Sequence, residues 1–146
     1  QKVVNMLKEA YPTHKILNMG LPNEPQYENA IPVQAPYMVF HELLKESDGF
    51  IGCDSLLNHF SISANKKGVV IWGSTRWVNF GYTQNQNVNY FMENEWDDSK
   101  FDGANPLNGM VSPEKVMELF EKRNDTVTLK GKKKEVVSLH CARAVG

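Results

Sequence analysis

The sequence has few cysteines, no strong excess of either charge and no long apolar run. Its two cysteines, Cys53 and Cys141, are too few and too far apart for a disulfide framework or a four-ligand zinc site, so reduced thiols in the cytoplasm are the simpler interpretation. The sequence has 16 Lys and Arg residues and 17 Asp and Glu residues. Because nucleic-acid-binding proteins usually carry an excess of basic residues, this balance argues against a dedicated nucleic-acid-binding protein. No apolar run approaches the roughly 20 residues that a transmembrane segment needs.

The sequence also lacks a secretory leader and two common catalytic motifs. No basic stretch followed by an apolar one marks secretion, and a first residue of Gln1 suggests a processed chain or a piece of a longer one. No glycine-rich loop ending in Gly-Lys-Ser supports a nucleoside triphosphatase, and no Gly-x-Ser-x-Gly motif supports a common hydrolase. The acidic segment 93–102 is only faintly similar to a calcium loop, because Lys100 occupies a ligand position and the closing glutamate is missing. We therefore predict no bound metal and no cofactor.

What the sequence does contain is an alternation of helical and strand patterns. Lys2–Ala10 has helical apolar spacing, and His14–Met19, Phe50–Cys53 and Val69–Trp72 are short apolar runs typical of strands. Further helices are predicted after Pro36, at Ser55–Asn65 and after the Ser112-Pro113-Glu114 start signal. This order predicts an α/β domain with a Rossmann-like, mainly parallel sheet and helices on both faces.

The last part of the chain is assigned differently. We place residues 1–124 in the α/β domain and residues 125–146 in a C-terminal extension. Within it, Thr126–Leu129 and Val136–Leu139 flank the lysine-rich segment 130–134, which predicts a hairpin.

Polar turns follow two consecutive predicted strands. Asp54 and Ser55 come directly after Phe50–Cys53 and start the next helix, and the turn Gly73-Ser74-Thr75 follows Val69–Trp72. Adjacent parallel strands place both turns at one edge of the sheet, where doubly wound folds bind ligands. The unpaired N–H groups of a helix's first turn favour an anion such as phosphate. The sequence therefore predicts a binding crevice at this edge.

Each candidate side chain also has a simpler interpretation. Ser55 and His59 share a helix face and suit a diphosphate or sugar hydroxyls, but Asp54 or Ser55 is equally able to act only as an N-cap. His59 would then be a partly buried surface residue. Glu24, in the loop after the first predicted strand, suits the ribose hydroxyls of a nucleotide, but a lone loop glutamate is more often a solvated charge.

The segment Asp54-Ser55-Leu56-Leu57-Asn58-His59, followed by Val69–Thr75, resembles the carboxyl-terminal domain of the lipopolysaccharide heptosyltransferases, glycosyltransferase family nine. In that family an Asp-Ser/Thr-Gly-x-x-His motif starts a helix, and a strand with a Phe/Tyr-Gly-Pro-Thr turn follows. The resemblance covers roughly residues 1–123. Leu56 replaces the motif glycine, where its side chain is expected to crowd the diphosphate, and Ser74 replaces the proline.

The resemblance implies the donor-binding half of an inverting, metal-independent GT-B enzyme of lipopolysaccharide biosynthesis. Asp54 would contact the donor sugar, Ser55 and the following backbone the diphosphate, and Glu24 the ribose, while His59 would support the turn and Thr75 would line the crevice. The catalytic base would lie outside this chain, in an N-terminal acceptor domain or a partner chain. The predicted substrate-binding residues are Glu24, Asp54, Ser55, Leu56, His59, Gly73, Ser74 and Thr75.

A second hypothesis belongs to a different class. A chain of 146 residues has room for one such domain and not for two. It is therefore also compatible with a stand-alone, non-catalytic α/β module that binds a nucleotide or a protein partner. An upstream domain of similar size in the full reading frame would favour the enzyme.

Overall fold

Six parallel strands form one sheet in the part of the chain that the structure describes, a computed structural model of residues 1–73, 77–89, 111–125 and 136–140. Helices connect most of these strands. In chain order the elements are α1 (Lys2–Ala10), β1 (Lys15–Met19), β2 (Ile31–Val33), α2 (Tyr37–Glu46), β3 (Gly49–Cys53), α3 (Leu56–Ser63), β4 (Gly68–Trp72), α4 (Trp77–Phe80), β5 (Gln86–Asn89), α5 (Pro113–Glu121) and β6 (Val136–His140).

The strand order in the sheet is β2-β1-β6-β3-β4-β5. All five pairings are parallel, including the predicted one between β3 and β4, in which Ile51 lies beside Val69 and Cys53 beside Ile71. The chain runs outward in one direction from β1 to β2 and in the other from β3 through β4 to β5. The predicted α/β class with a parallel sheet is confirmed, and the central position belongs to β6.

The core has two layers because successive strand residues point to opposite faces of the sheet. Ile51, Val69 and Ile71 pack on one face with buried residues of α1 and α5. Phe50 and Val70 pack on the other face with buried residues of α2 and α3. Helices therefore cover both faces, as the element order predicts, and β3 and β4 between them are almost wholly buried.

The start signal predicted for the last helix is confirmed. Ser112 is the N-cap of α5, and its hydroxyl accepts a hydrogen bond of 3.1 Å from the N–H of Lys115. Pro113 occupies the first turn, where its missing N–H removes no helical hydrogen bond. Local sequence chemistry was enough to place this helix end.

Residues 125–146 were predicted to form an extension, but Val136–His140 of this segment form the strand β6 of the sheet. Val137 pairs with Ile16 of β1 on one side and with Gly49 of β3 on the other, so this strand belongs to the centre of the domain. Local patterning cannot show pairing with strands about a hundred residues away in sequence. The rest of the predicted hairpin, Thr126–Leu129 and the lysine-rich segment, lies outside the described residues.

The amino-terminal end of β6 lies between two residues that contact each other. His14 comes directly before β1 and Asp48 directly before β3, the two neighbours of β6. The His14 Nε2 and Asp48 Oδ2 atoms are 2.8 Å apart, and both side chains are largely buried. This contact joins β1 and β3 beyond the end of the strand that separates them.

The expected state of the cysteines is also corrected. Cys53 is disulfide-bonded in the structure, and the only other cysteine of the sequence, Cys141, lies outside the described residues. Distance along the sequence did not predict the bonded state of Cys53, because strands far apart in sequence lie side by side in the sheet. The last residue of β6, His140, pairs with Gly52, the residue before Cys53. The cysteines therefore give no support to the predicted cytoplasmic location, which stays a prediction.

Candidate functional site

A crevice opens at the carboxyl edge of the sheet, between the loop after β1 and the first turns of α2 and α3. Its main cavity has a volume of 380 Å³, and a second cavity of 350 Å³ continues from it towards the segment after β2. Both are within or near the usual size range of small-molecule pockets, on the order of 300–1,000 Å³. We call the main cavity the α2–α3 crevice. It is lined by Gly20, Leu21, Glu24, Tyr37, Phe40, Leu56, Leu57 and Phe60.

Glu24 lines the α2–α3 crevice and is fixed by its own loop. Its Oε2 atom accepts a hydrogen bond of 2.8 Å from the N–H of Leu21, and the N–H of Glu24 donates to the Leu21 carbonyl at 3.0 Å. A Cβ at position 20 would lie 2.6 Å from the same carboxylate oxygen, so a larger residue there would displace the Glu24 carboxylate. The structure therefore presents Glu24 as a positioned acid and not as a freely solvated charge.

The carboxylate of Glu24 also affects Tyr27. Burial, and then the negative charge of Glu24, raise the pKa of Tyr27 above its ordinary value of 10.0. The unfolded chain consequently loses this proton at a lower pH than the folded chain. The stability that Tyr27 contributes is present below pH 10 and is lost as the pH rises through the folded-state pKa.

We expect Tyr27→Phe to weaken the fall in unfolding free energy above pH 10, because phenylalanine has no proton to lose. Urea unfolding at pH 9, 10 and 11 measures this slope for the parent chain and the variant. The exposed residue Tyr37, changed to Phe, serves as the matched control. Equal alkaline slopes for the parent and Tyr27→Phe would contradict the assignment.

The first turn of α3 lies at the opposite wall of the crevice. Ser55 is its N-cap with an extended backbone, yet its side chain makes no capping hydrogen bond. The Ser55 Oγ atom is buried and has no hydrogen-bond partner. Because buried hydroxyls are usually paired, this one is suited to an acceptor that is not part of the chain. The simpler interpretation of Ser55 as a structural cap does not describe its side chain, while Asp54 beside it is exposed.

Leu56, which stands at the motif glycine, forms part of the crevice wall. Its side chain is 37% exposed and lines the cavity together with Phe60, one turn later on α3. On a helix, residues four apart lie on one face, which explains why both contribute to the same wall. The Leu56 side chain therefore extends the apolar surface of the crevice.

His59 lies on another side of α3 and is not among the described residues that line the crevice. Its Nδ1 atom is 2.9 Å from the hydroxyl of Tyr82, and the two rings meet edge to face at 5.7 Å. Gly73 follows β4 directly, and a Cβ there would meet no atom of the described residues within 4 Å. Ser74 and Thr75 lie outside the described residues, so the predicted proximity of His59 to Thr75 stays a prediction.

Sequence analysis missed the aromatic side of the crevice. Tyr37 and Phe40 of α2 line both cavities, with Phe40 buried and Tyr37 exposed at the mouth. From the sequence we predicted only a helix after Pro36 and named no residue of it as part of the site. The position of Tyr37 and Phe40 could have indicated this role. Both lie in the first turns of a helix that begins after Pro36, at the carboxyl edge of the sheet.

A buried polar network holds α3 in place beside the crevice. The Asn85 Nδ2 group donates to Ser61 Oγ at 2.9 Å, and Ser61 Oγ donates to the Asn58 carbonyl at 2.6 Å. The N–H of Gly68, at the start of β4, donates to Asn85 Oδ1 at 3.2 Å. Asn85 thus links α3 to the strand that it covers.

No protein-family model matches the sequence, and comparison with curated proteins and with solved structures finds no match. None of the described helices combines the length and apolar composition that crossing a bilayer requires. The resemblance to the heptosyltransferases consequently depends on the motif residues of the sequence alone.

Proposed function

We propose that the chain is the donor-binding half of an inverting, metal-independent glycosyltransferase similar to the heptosyltransferases, and that it binds a nucleotide-diphosphate sugar. One observation carries the proposal. The loop that contains Glu24 and the first turn of α3 line a single cavity at the carboxyl edge of a parallel sheet. This edge, near the point where the strand order reverses, is where doubly wound folds bind nucleotides.

The lining of the crevice suits the nucleoside part of such a ligand. Phe40, Leu57 and Phe60 offer an apolar surface for a base, and Glu24 offers a carboxylate for the ribose hydroxyls. The Glu24 Oε2 atom is held by the backbone of Leu21, so its position does not depend on the ligand. A fixed acceptor lowers the entropy that binding must overcome.

The diphosphate is assigned to the first turn of α3. Ser55 supplies an unpaired hydroxyl there, and the helix N-terminus supplies N–H groups and a favourable dipole. Asp54, exposed just before this turn, is assigned to the donor sugar. His59 supports the turn from the side of Tyr82, and Gly73, Ser74 and Thr75 are assigned to the neighbouring edge of the site.

We expect the isolated chain to bind a nucleoside diphosphate weakly and to transfer no sugar, because the proposed acceptor domain and base are not in it. A thermal-shift screen with ADP, UDP, ADP-glucose and UDP-glucose tests binding, since a ligand at 100 times its dissociation constant adds about 2.7 kcal/mol of stability. Sugar transfer by the chain alone would contradict the assignment of the base to another domain.

Asp54→Ala tests the sugar contact. We expect it to weaken the binding of the sugar nucleotide more than that of the bare diphosphate, because only the former carries the group assigned to Asp54. Calorimetric titration of both ligands measures the difference, and Asp125→Ala, a change at another exposed aspartate, is the matched control. Equal losses for both ligands would assign Asp54 to the structure of the turn.

The alternative, a non-catalytic module that binds a nucleotide or a protein partner, is favoured by the apolar residues at the mouth of the crevice. Leu21 and Tyr37, which line both cavities, are 57% and 63% exposed. Exposed apolar side chains of this kind often mark protein contacts when they are contiguous. A screen in which no nucleotide or sugar nucleotide stabilises the chain would favour a protein-binding module over the glycosyltransferase.

A further inference from the structure

The second cavity, of 350 Å³, shares one wall with the α2–α3 crevice. Tyr37 and Phe40 of α2 and the start of the loop after β1 line both cavities. The rest of the second cavity's lining is Pro22 and the segment 34–36 that follows β2, and the described residues that line it include no charged side chain. The two cavities therefore form a largely apolar space whose parts meet at Tyr37 and Phe40.

Tyr37 is the exposed member of an aromatic pair at this junction. Phe40, one turn later in α2, is 8% exposed, whereas Tyr37 is 63% exposed. Their rings meet edge to face, with centroids 6.5 Å apart and planes at 64°. Burial holds the ring of Phe40, and this favourable contact holds the ring of Tyr37 beside it. The pair therefore forms a corner with one buried wall and one wall that a planar ligand is able to cover.

The neighbours of Tyr37 indicate which planar ligand suits this corner. Glu24 lines the same main cavity, and its Oε2 atom is held at 2.8 Å by the N–H of Leu21. A carboxylate at this position suits the two ribose hydroxyls of a nucleotide. Because the base of a nucleotide is bonded directly to its ribose, a ribose at Glu24 places the base in the cavity that Tyr37 and Phe40 line. Aromatic side chains stack on every type of base, since every base has a π-face.

We propose that Tyr37 is a ligand-binding residue that stacks on the nucleobase at the junction of the two cavities. This inference rests on the proposed function and deepens it, because it names the side chain that contacts the base. Tyr37 is not among the substrate-binding residues predicted from the sequence. Stacking also gives the exposed ring a role, since a bound base covers apolar surface that is otherwise in contact with water.

Calorimetric titration with ADP and UDP tests the proposal in the parent chain, Tyr37→Ala and Tyr37→Phe. We expect Tyr37→Ala to bind both nucleotides about ten-fold more weakly, the effect of losing one base–aromatic stack. Tyr37→Phe keeps the ring, so its affinities are expected within about two-fold of those of the parent. Met38→Ala is the matched control, because Met38 is 67% exposed and is not among the described residues that line either cavity.

Proton chemical shifts of the Tyr37 ring give a second test, made on the parent chain itself. These signals, identified by their loss in Tyr37→Phe, are expected to move upfield when ADP or UDP saturates the chain, because a stacked base shields the ring beneath it. Unmoved signals, or parent affinities in Tyr37→Ala, would overturn the inference while leaving the proposed function intact. Equal losses in Tyr37→Ala and Tyr37→Phe would also overturn it, since the effect would then belong to the hydroxyl. A parent chain that binds neither nucleotide would overturn both.

Discussion

Trp72→Ala is expected to remove a third or more of the unfolding free energy of the domain. Trp72 is fully buried at the end of β4, in the layer beneath α2 and α3, and its Nε1–H donates to Asn87 Oδ1 at 3.0 Å. Truncating a buried tryptophan typically costs about 3–5 kcal/mol, against a total of about 5–15 kcal/mol for a domain. Urea unfolding followed by circular dichroism measures the loss.

Trp72→Phe separates packing from hydrogen bonding at the same position. It keeps a buried ring but leaves Asn87 Oδ1 without its indole donor, so a smaller loss of about 1–3 kcal/mol is expected. A loss of less than about 1 kcal/mol for Trp72→Ala would show that β4 does not pack as described. Equal losses for the two variants would assign the effect to the hydrogen bond alone.

Asn85→Ala is expected to have the next largest effect. Asn85 is 4% exposed and makes two buried hydrogen bonds, to Ser61 and to the N–H of Gly68. The variant leaves the buried N–H of Gly68 without this partner, while Ser61 keeps its bond to the Asn58 carbonyl, so we expect a loss of about 1–3 kcal/mol. The same unfolding experiment measures it, with the exposed Asn79→Ala as a control expected within about 0.5 kcal/mol of the parent.

The Asn85 network has a consequence for the site as well. Asn85 fixes α3 through Ser61, and α3 carries Ser55, Leu56 and Phe60 at its crevice end. A loosened α3 should therefore weaken ADP binding under conditions where the variant is still folded. Unchanged ADP affinity in a destabilised Asn85→Ala would show that the crevice is positioned by the contacts of α2 and the sheet instead.

Local chemistry in the sequence was sufficient for the elements that depend on neighbours in the chain. The cap at Ser112 requires only the next three residues, and the run Val69–Trp72 is apolar enough to be a strand in any buried sheet. Their spacing also predicted that β3 and β4 pair in parallel, because consecutive strands joined by a helix usually do. For the site, the same reasoning placed the turns that follow β3 and β4 at one edge of the sheet, because the two strands are adjacent and parallel.

Only the tertiary structure determined which distant segments meet. The central position of β6, the bonded state of Cys53 and the aromatic wall formed by Tyr37 and Phe40 depend on contacts between residues far apart in sequence. The same holds for His59, which turned out to contact Tyr82. The pattern of residue types along a segment indicates which of its side chains are buried and where the chain turns. The pattern does not indicate which strands lie beside the segment, because a β-strand satisfies its backbone hydrogen bonds equally well with any strand of suitable register.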